Sequence, residues 1–201
     1  MNSKELFVRD TTVIKQSDNL YTAEVSENWS IGNTANGGYS MTLAAKAMSE
    51  FLEHKDPLSI SAHYLDRVDF GSTEFHVTHL SSSKSLSTAR VELIQDNKIK
   101  IIFVGTFTDF SFKNDMNIYE RDVPNFPEYN SCEVIPYKEG FNPKLDKNIE
   151  KAYAQDSLWW KKDIDNSSST LNLYMSWPEK DNVDLFDLVL SVSYTHLRAH
   201  E

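Results

Sequence analysis

Between Trp29 and Phe51 the chain reads WSIGNTANGGYSMTLAAKAMSEF, where Gly32, Gly37 and Gly38 place three of its six glycines within seven residues. Glycine concentrates where the backbone takes up positive φ or lets another group come close, so the cluster predicts a tight turn. Directly after it, Met41, Ala44, Ala45, Met48, Phe51 and Leu52 recur at the spacing of one helix face, with Lys46, Ser49, Glu50 and Glu53 largely off it. Pro57 disfavours helical geometry at Asp56, which predicts an end near His54. A helix that opens at Asn36-Gly37-Gly38 presents unpaired N–H groups and the positive end of its dipole, a position suited to a carbonyl oxygen.

The sequence around this helix reads as sheet. Ahead of it, TTVIKQ (Thr11–Gln16) and NLYTAEV (Asn19–Val25) form a predicted hairpin about Ser17-Asp18. Behind it, Leu58 to Phe112 divides into four runs at Gly71-Ser72, at SSSKS and at Asp96-Asn97. Phe75, Val77 and His79 alternate onto one face, as do Ala89, Val91 and Leu93, and Ile99, Ile101, Phe103 and Phe107. Hairpin-linked strands with one long helix predict an α+β layer fold: a curved antiparallel sheet wrapped around a central helix.

Charge narrows the partners. Twenty basic against thirty acidic residues give a net charge of −10, which argues against nucleic acid or an anionic membrane as the main partner. Cys132 is the single cysteine, excluding an intrachain disulfide and a thiolate metal cluster. The N-terminus lacks an apolar core of signal-peptide length, and no apolar run reaches spanning length, so cytoplasm is the expected compartment.

From 113 to 146 four prolines and scattered charges read as a linker. Beyond it, IEKAYAQDSLWWKK and STLNLYMSWPE read as strands around a turn at Asp163–Ser169, and NVDLFDLVL as a helix start capped by Asn182. Strand, strand, loop and helix repeat the N-terminal order, as a second copy begun over 147–191. Residues 192–201, VSYTHLRAHE, match the in-frame translation of a transposase sequencing adapter and are read as a non-native tail. On that reading His196, His200 and Glu201, spaced for zinc on a helix, carry no metal site.

Trp29, Asn36-Gly37-Gly38-Tyr39 ahead of an alanine-rich helix, SAHYLDRVDFG, and STARVELIQDNKIKIIFVGTFTDF together resemble the TesB-like acyl-CoA thioesterases, which fuse two hot-dog repeats. Residues 1–112 correspond to the first repeat and 147–191 to the start of the second. Leu65-Asp66-Arg67 stands where the family often has Leu-Arg-Pro, and Thr108 where glutamine is common. The resemblance implies hydrolysis of an acyl-CoA thioester to acid and CoA without a cofactor, by a homo-oligomer when complete. It also implies that an aspartate on the second helix activates water, with a hydroxyl residue and a glutamine from later strands. Asp184 and Asp187 are read as preceding that position, as a first-turn acidic pair favoured by the helix dipole. The catalytic set is therefore expected outside this chain.

Asn36, Gly37, Gly38 and Tyr39 are the candidate substrate-binding residues. Their amides would polarise the thioester carbonyl; alternatively the turn lets the helix pack, with Tyr39 a core residue. His63, His76 and His79 lack a carboxylate partner at a readable spacing, and Trp159, Trp160 and Trp177 read as core aromatics or a ligand platform. Two other functions stay open: an acyl-thioester hydratase or dehydratase, which needs a histidine and a carboxylate at the helix face, and a non-catalytic acyl-CoA-binding module.

Overall fold

The computed structural model describes residues 1–111, 125–161 and 170–195. The expected turn at Asp163–Ser169 and the tail positions His196, His200 and Glu201 lie outside the described residues. The chain opens with a helix that the sequence reading missed, α1 (Ser3–Asp10), started by an Asn2–Glu5 capping box. The hairpin strands β1 (Ile14–Lys15) and β2 (Leu20–Val25) follow, then a small ribbon of β3 (Ser30–Ile31) and β4 (Thr34–Ala35). Next come α2 (Gly37–Phe51), β5 (Asp56–Tyr64), β6 (Gly71–Ser82), β7 (Ser87–Gln95) and β8 (Lys98–Thr108).

These strands form one antiparallel sheet in the order β1-β2-β6-β7-β8-β5, which curves around α2 as a hot-dog. Asp96 and Asn97 both take positive φ at the β7–β8 turn, the conformation a two-residue hairpin demands. Alternation delivers Phe75, Val77, Ala89, Val91, Leu93, Ile101, Phe103 and Phe107 into the core. His79 and Ile99 leave the faces expected for them. The register shifts between His79 and Ser81 and between Leu93 and Ile94, and both side chains lie at or past those bulges, exposed.

Three further differences concern the second half. There β9 (Glu133–Val134), β10 (Glu150–Tyr153) and β11 (Leu173–Ser176) form a second antiparallel sheet, so residues 133–134 of the expected linker are paired strand. The strand expected through Trp159-Trp160 stops at Tyr153, because the chain coils into a short 3-10 turn over Gln155–Ser157. Leu158 fills the interior there, and both tryptophans are exposed. Finally, α3 (Leu185–Ser191) is capped by Asp184 and not Asn182, since Asp184 and Asp187 bond each other's backbone amides reciprocally.

Helix α1 joins the two halves. Its Lys4 ammonium lies between Asp184 and Asp187 at the start of α3. Burial alone would lower the Lys4 pKa, but the bonds to the two carboxylates outweigh it and raise it. Phe7 packs edge-on to Trp29 and tilted against Trp177, with ring centroids 5.0 and 5.4 Å away. At its end the buried Asp10 carboxylate accepts from the Trp29 indole at 3.0 Å and the Asn28 amide at 2.9 Å, with Arg9 at its other oxygen. Burial opposes ionisation of Asp10, yet the bonds from Asn28, Arg9, Ser26 and Trp29 prevail and hold it below its ordinary 3.8.

A carboxylate with a depressed folded-state pKa adds stability that is complete above its unfolded value and is lost as pH falls through the folded one. Denaturant midpoints should therefore fall as pH drops below 3.8, with a shallower fall in Asp10→Asn. Asp10→Ala at neutral pH, which strands the buried indole N–H, should cost about 2–3 kcal/mol.

Candidate functional site

The first turn of α2 is held on three sides. The Asn36 amide donates to the Trp29 carbonyl at 2.9 Å, its side-chain oxygen accepts from the Tyr39 amide at 3.0 Å, and its carbonyl accepts from the Ser40 amide at 3.0 Å. Gly37 and Gly38 are the first-turn amides that no capping bond takes up. The four candidate residues then separate. Asn36 is buried and also donates to Ser193, within the ten-residue tail. Gly38 faces α3 so closely that a Cβ there would overlap the Leu190 carbonyl oxygen. Tyr39 is fully buried, stacked on Trp29, with its hydroxyl donating to the Asp10 carbonyl at 2.7 Å and accepting from the Ser26 amide at 3.1 Å. Burial drives its pKa upward. Gly37 alone of the four opens onto a cleft.

That cleft encloses about 400 Å³ between the start of α2 and the segment after β5. Thr34, Gly37 and Ser40 line one side, and Tyr64, Leu65, Asp66, Arg67 and Val68 the other. The Tyr64 hydroxyl bridges them, donating to the Gly37 carbonyl at 3.1 Å. The far wall is anchored by the β7–β8 bulge, which leaves Lys100 without an opposite residue on β7. Its carbonyl accepts from the Leu65 and Asp66 amides at 2.9 and 3.0 Å, and its ammonium reaches Asp66 at 2.9 Å. This bond holds the Asp66 carboxyl below, and the Lys100 ammonium above, their ordinary pKa values. Val68 is fastened from the other side, its carbonyl accepting from the Ala35 amide and the Thr34 hydroxyl. Buried Gln95 bonds Asp69 through both its oxygen and its nitrogen.

The sequence family described as acyl-CoA thioesterase N-terminal domain matches residues 25–109, the stretch that contains α2, the cleft and the sheet from β5 to β8. Over residues 25–109 the chain is similar to that family. Solved structures agree on the fold. A proposed thioesterase II from Thermobifida fusca YX superposes with a TM-score of 0.82 at 19% identity, over 96% of this chain and 73% of that one. A hot-dog protein from Alicyclobacillus acidocaldarius gives 0.81 at 10% identity, over 94% and 69%. The acyl-CoA thioesterase II TesB2 from Mycobacterium marinum gives 0.67 at 13% identity, over 94% and 67%. At these identities the likeness is one of fold. No curated protein sequence matches the chain.

The other residues weighed from the sequence lie away from this cleft. His63 is exposed, His76 meets Glu74 at 2.9 Å on the outside of the sheet, and exposed His79 meets Ser82 at 2.8 Å. Trp177 sits in the Phe7–Trp29 cluster. Sequence reasoning passed over one buried polar pair, His54 and Ser87, whose Nδ1 and Oγ are 2.6 Å apart past the end of α2. The second ring nitrogen faces the Lys84 carbonyl at 3.2 Å. Neither residue lines the cleft, and the pair fastens the exit of α2 to the β6–β7 turn. His54 carried no signal beyond its place ahead of Pro57, since its partner is 33 residues away. Lys100 was equally hidden, because no sequence period marks a bulge.

The two glycines differ in a measurable way. A methyl at Gly38 meets backbone, which cannot turn aside, so Gly38→Ala should cost about 1–3 kcal/mol by overpacking. A methyl at Gly37 meets the Tyr64 hydroxyl at 3.0 Å and its ring at 3.2 Å, the end of a half-exposed side chain, so Gly37→Ala should stay within about 1 kcal/mol of the parent. Urea midpoints of the two variants test the contrast.

Proposed function

We propose that the cleft at the start of α2 receives the thioester end of an acyl-CoA, with the carbonyl oxygen against the Gly37 amide. One observation carries this reading: the acyl-CoA thioesterase N-terminal domain has its cleft at a helix N-terminus whose Gly37 amide no capping bond consumes. An amide fixed there supports charge on a carbonyl oxygen without reorganising, which favours attack on the thioester carbon. By the TesB-like resemblance, the water-activating aspartate belongs to the second repeat, on the helix that α3 begins. The reaction is hydrolysis to free acid and CoA, needing no cofactor. The complete protein is proposed to act in the cytoplasm as a homo-oligomer. Among the described residues no helix is long and apolar enough to cross a membrane.

Calorimetric titration with a non-hydrolysable thioether analogue of an acyl-CoA tests the binding step. The chain should bind it, and Gly37→Ala should weaken binding about tenfold, which is about 1.4 kcal/mol. Absence of binding to the parent would overturn the reading. For the complete protein, thiol release from acyl-CoA is the expected outcome. Hydration of an enoyl-CoA, or binding without turnover, would assign the cleft to another chemistry.

A further inference from the structure

Asp187 sits on α3 with its side chain only 5% exposed, and its two oxygens are used unequally. Oδ2 accepts from the Lys4 ammonium, from the Asp184 amide at 2.8 Å and from the Trp177 indole at 3.3 Å. Oδ1 is enclosed and meets no protein donor. Leaving a buried polar atom without a hydrogen bond costs its desolvation penalty, and a charged group costs more than a neutral one. Missing counter-charge is not the cause. Lys4 bonds both Asp184 and Asp187, and Lys46, although burial lowers its pKa, lies in the field of both carboxylates. What Oδ1 lacks is a hydrogen-bond donor.

The same residue lines a cavity of about 210 Å³ between α3 and β11, which shares no residue with the cleft at the start of α2. Its walls are mostly apolar, with Leu173, Met175 and Trp177 on the sheet side and Leu188 and Leu190 on the helix. Exposed Leu188 marks the rim. An apolar cavity of roughly 150 Å³ takes a benzene ring, so this one has room for an alkyl body of about six carbons. Burial against these walls favours such a body, and a donor at its end would supply what Asp187 lacks. The donor's charge can be narrowed. A second carboxylate would face the first, and an ammonium would give up its water for a carboxylate already paired with Lys4. A neutral hydroxyl brings the donor at the smallest desolvation cost.

We propose that this cavity is a second binding site, one that takes a neutral alcohol. The alkyl body lies among Leu173, Met175 and Leu188, and the hydroxyl donates to Asp187 Oδ1. Because that oxygen is enclosed in the free chain, the rim side chains, Leu188 first, move aside as the ligand enters. The site differs from the cleft in both its residues and its ligand, and it does not depend on the thioester reading.

The test is a ligand-observed NMR titration of the full chain with 1-hexanol, with methyl pentyl ether, which has the same size and no donor, and with hexylammonium and hexanoate. The parent should bind hexanol about tenfold more tightly than the ether, the size of a hydrogen bond to a charged group, and more tightly than either ion. Leu188→Trp, made at an exposed position that tolerates substitution, should fill the rim and weaken hexanol at least about tenfold, with thermal unfolding unchanged. Asp187→Asn should erase the preference for hexanol over the ether, because an amide N–H facing the cavity serves an ether oxygen as well as a hydroxyl. Asp187 also caps α3, so if that variant does not fold, the ligand series on the parent and Leu188→Trp decide by themselves. Absence of hexanol binding to the parent, equal binding of hexanol and ether, tighter binding of either ion, or hexanol binding that survives Leu188→Trp would each overturn the proposal.

Discussion

Helix α2 is buried on nearly every side, and the rest of the chain is arranged to make that possible. Ten of its fifteen residues are buried, including Leu43, Ala44, Ala45, Ala47 and Met48 with no exposure at all. A helix this enclosed cannot be satisfied by one sheet. The six-stranded sheet takes one side of it. Helix α3 takes another, where Gly38 admits the Leu190 carbonyl and the Lys46 ammonium lies 3.6 Å from the Phe186 ring centroid. The Phe7, Trp29 and Trp177 cluster closes the N-terminal end, and α1 ties that cluster to α3 through Lys4.

This enclosure also explains where a cleft can exist. Burial uses up Tyr39 and Gly38, so the open part of the first turn is the Gly37 side, facing the segment after β5. That segment has little apolar anchorage, since Leu65, Asp66 and Arg67 are all exposed while Val68 is buried. Hydrogen bonds hold it instead, from Lys100, Gln95, Ala35 and Thr34. A polar frame of this kind fixes the backbone while leaving side chains at the rim free to meet a ligand.

Much of the first domain was legible in the residues. The Asp96-Asn97 turn, the alternation through Phe75, Val91 and Phe103, and the stop before Pro57 all act through neighbours in sequence, and each predicted its element. The cleft was legible only in part. The glycine turn marked its floor, but the same signal covers Gly37, which lines the cleft, and Gly38, which accommodates a helix about 150 residues further on. Nothing local distinguishes them. Helix α1 was missed for a related reason: only Leu6, Phe7 and Val8 within it are apolar, and its place depends on Trp177 and on the carboxylates of α3.

By itself, then, the sequence determined the order of elements, the tight hairpin between β7 and β8, and the glycine-led start of the central helix, because propensity, turn chemistry and periodicity are written in adjacent residues. Tertiary structure alone decided that α2 is enclosed and not merely amphipathic, and that the bulge at Lys100 anchors the cleft wall. Each of those depends on contacts between residues tens to more than a hundred positions apart, where burial and charge pairing act across space and leave no period in the chain.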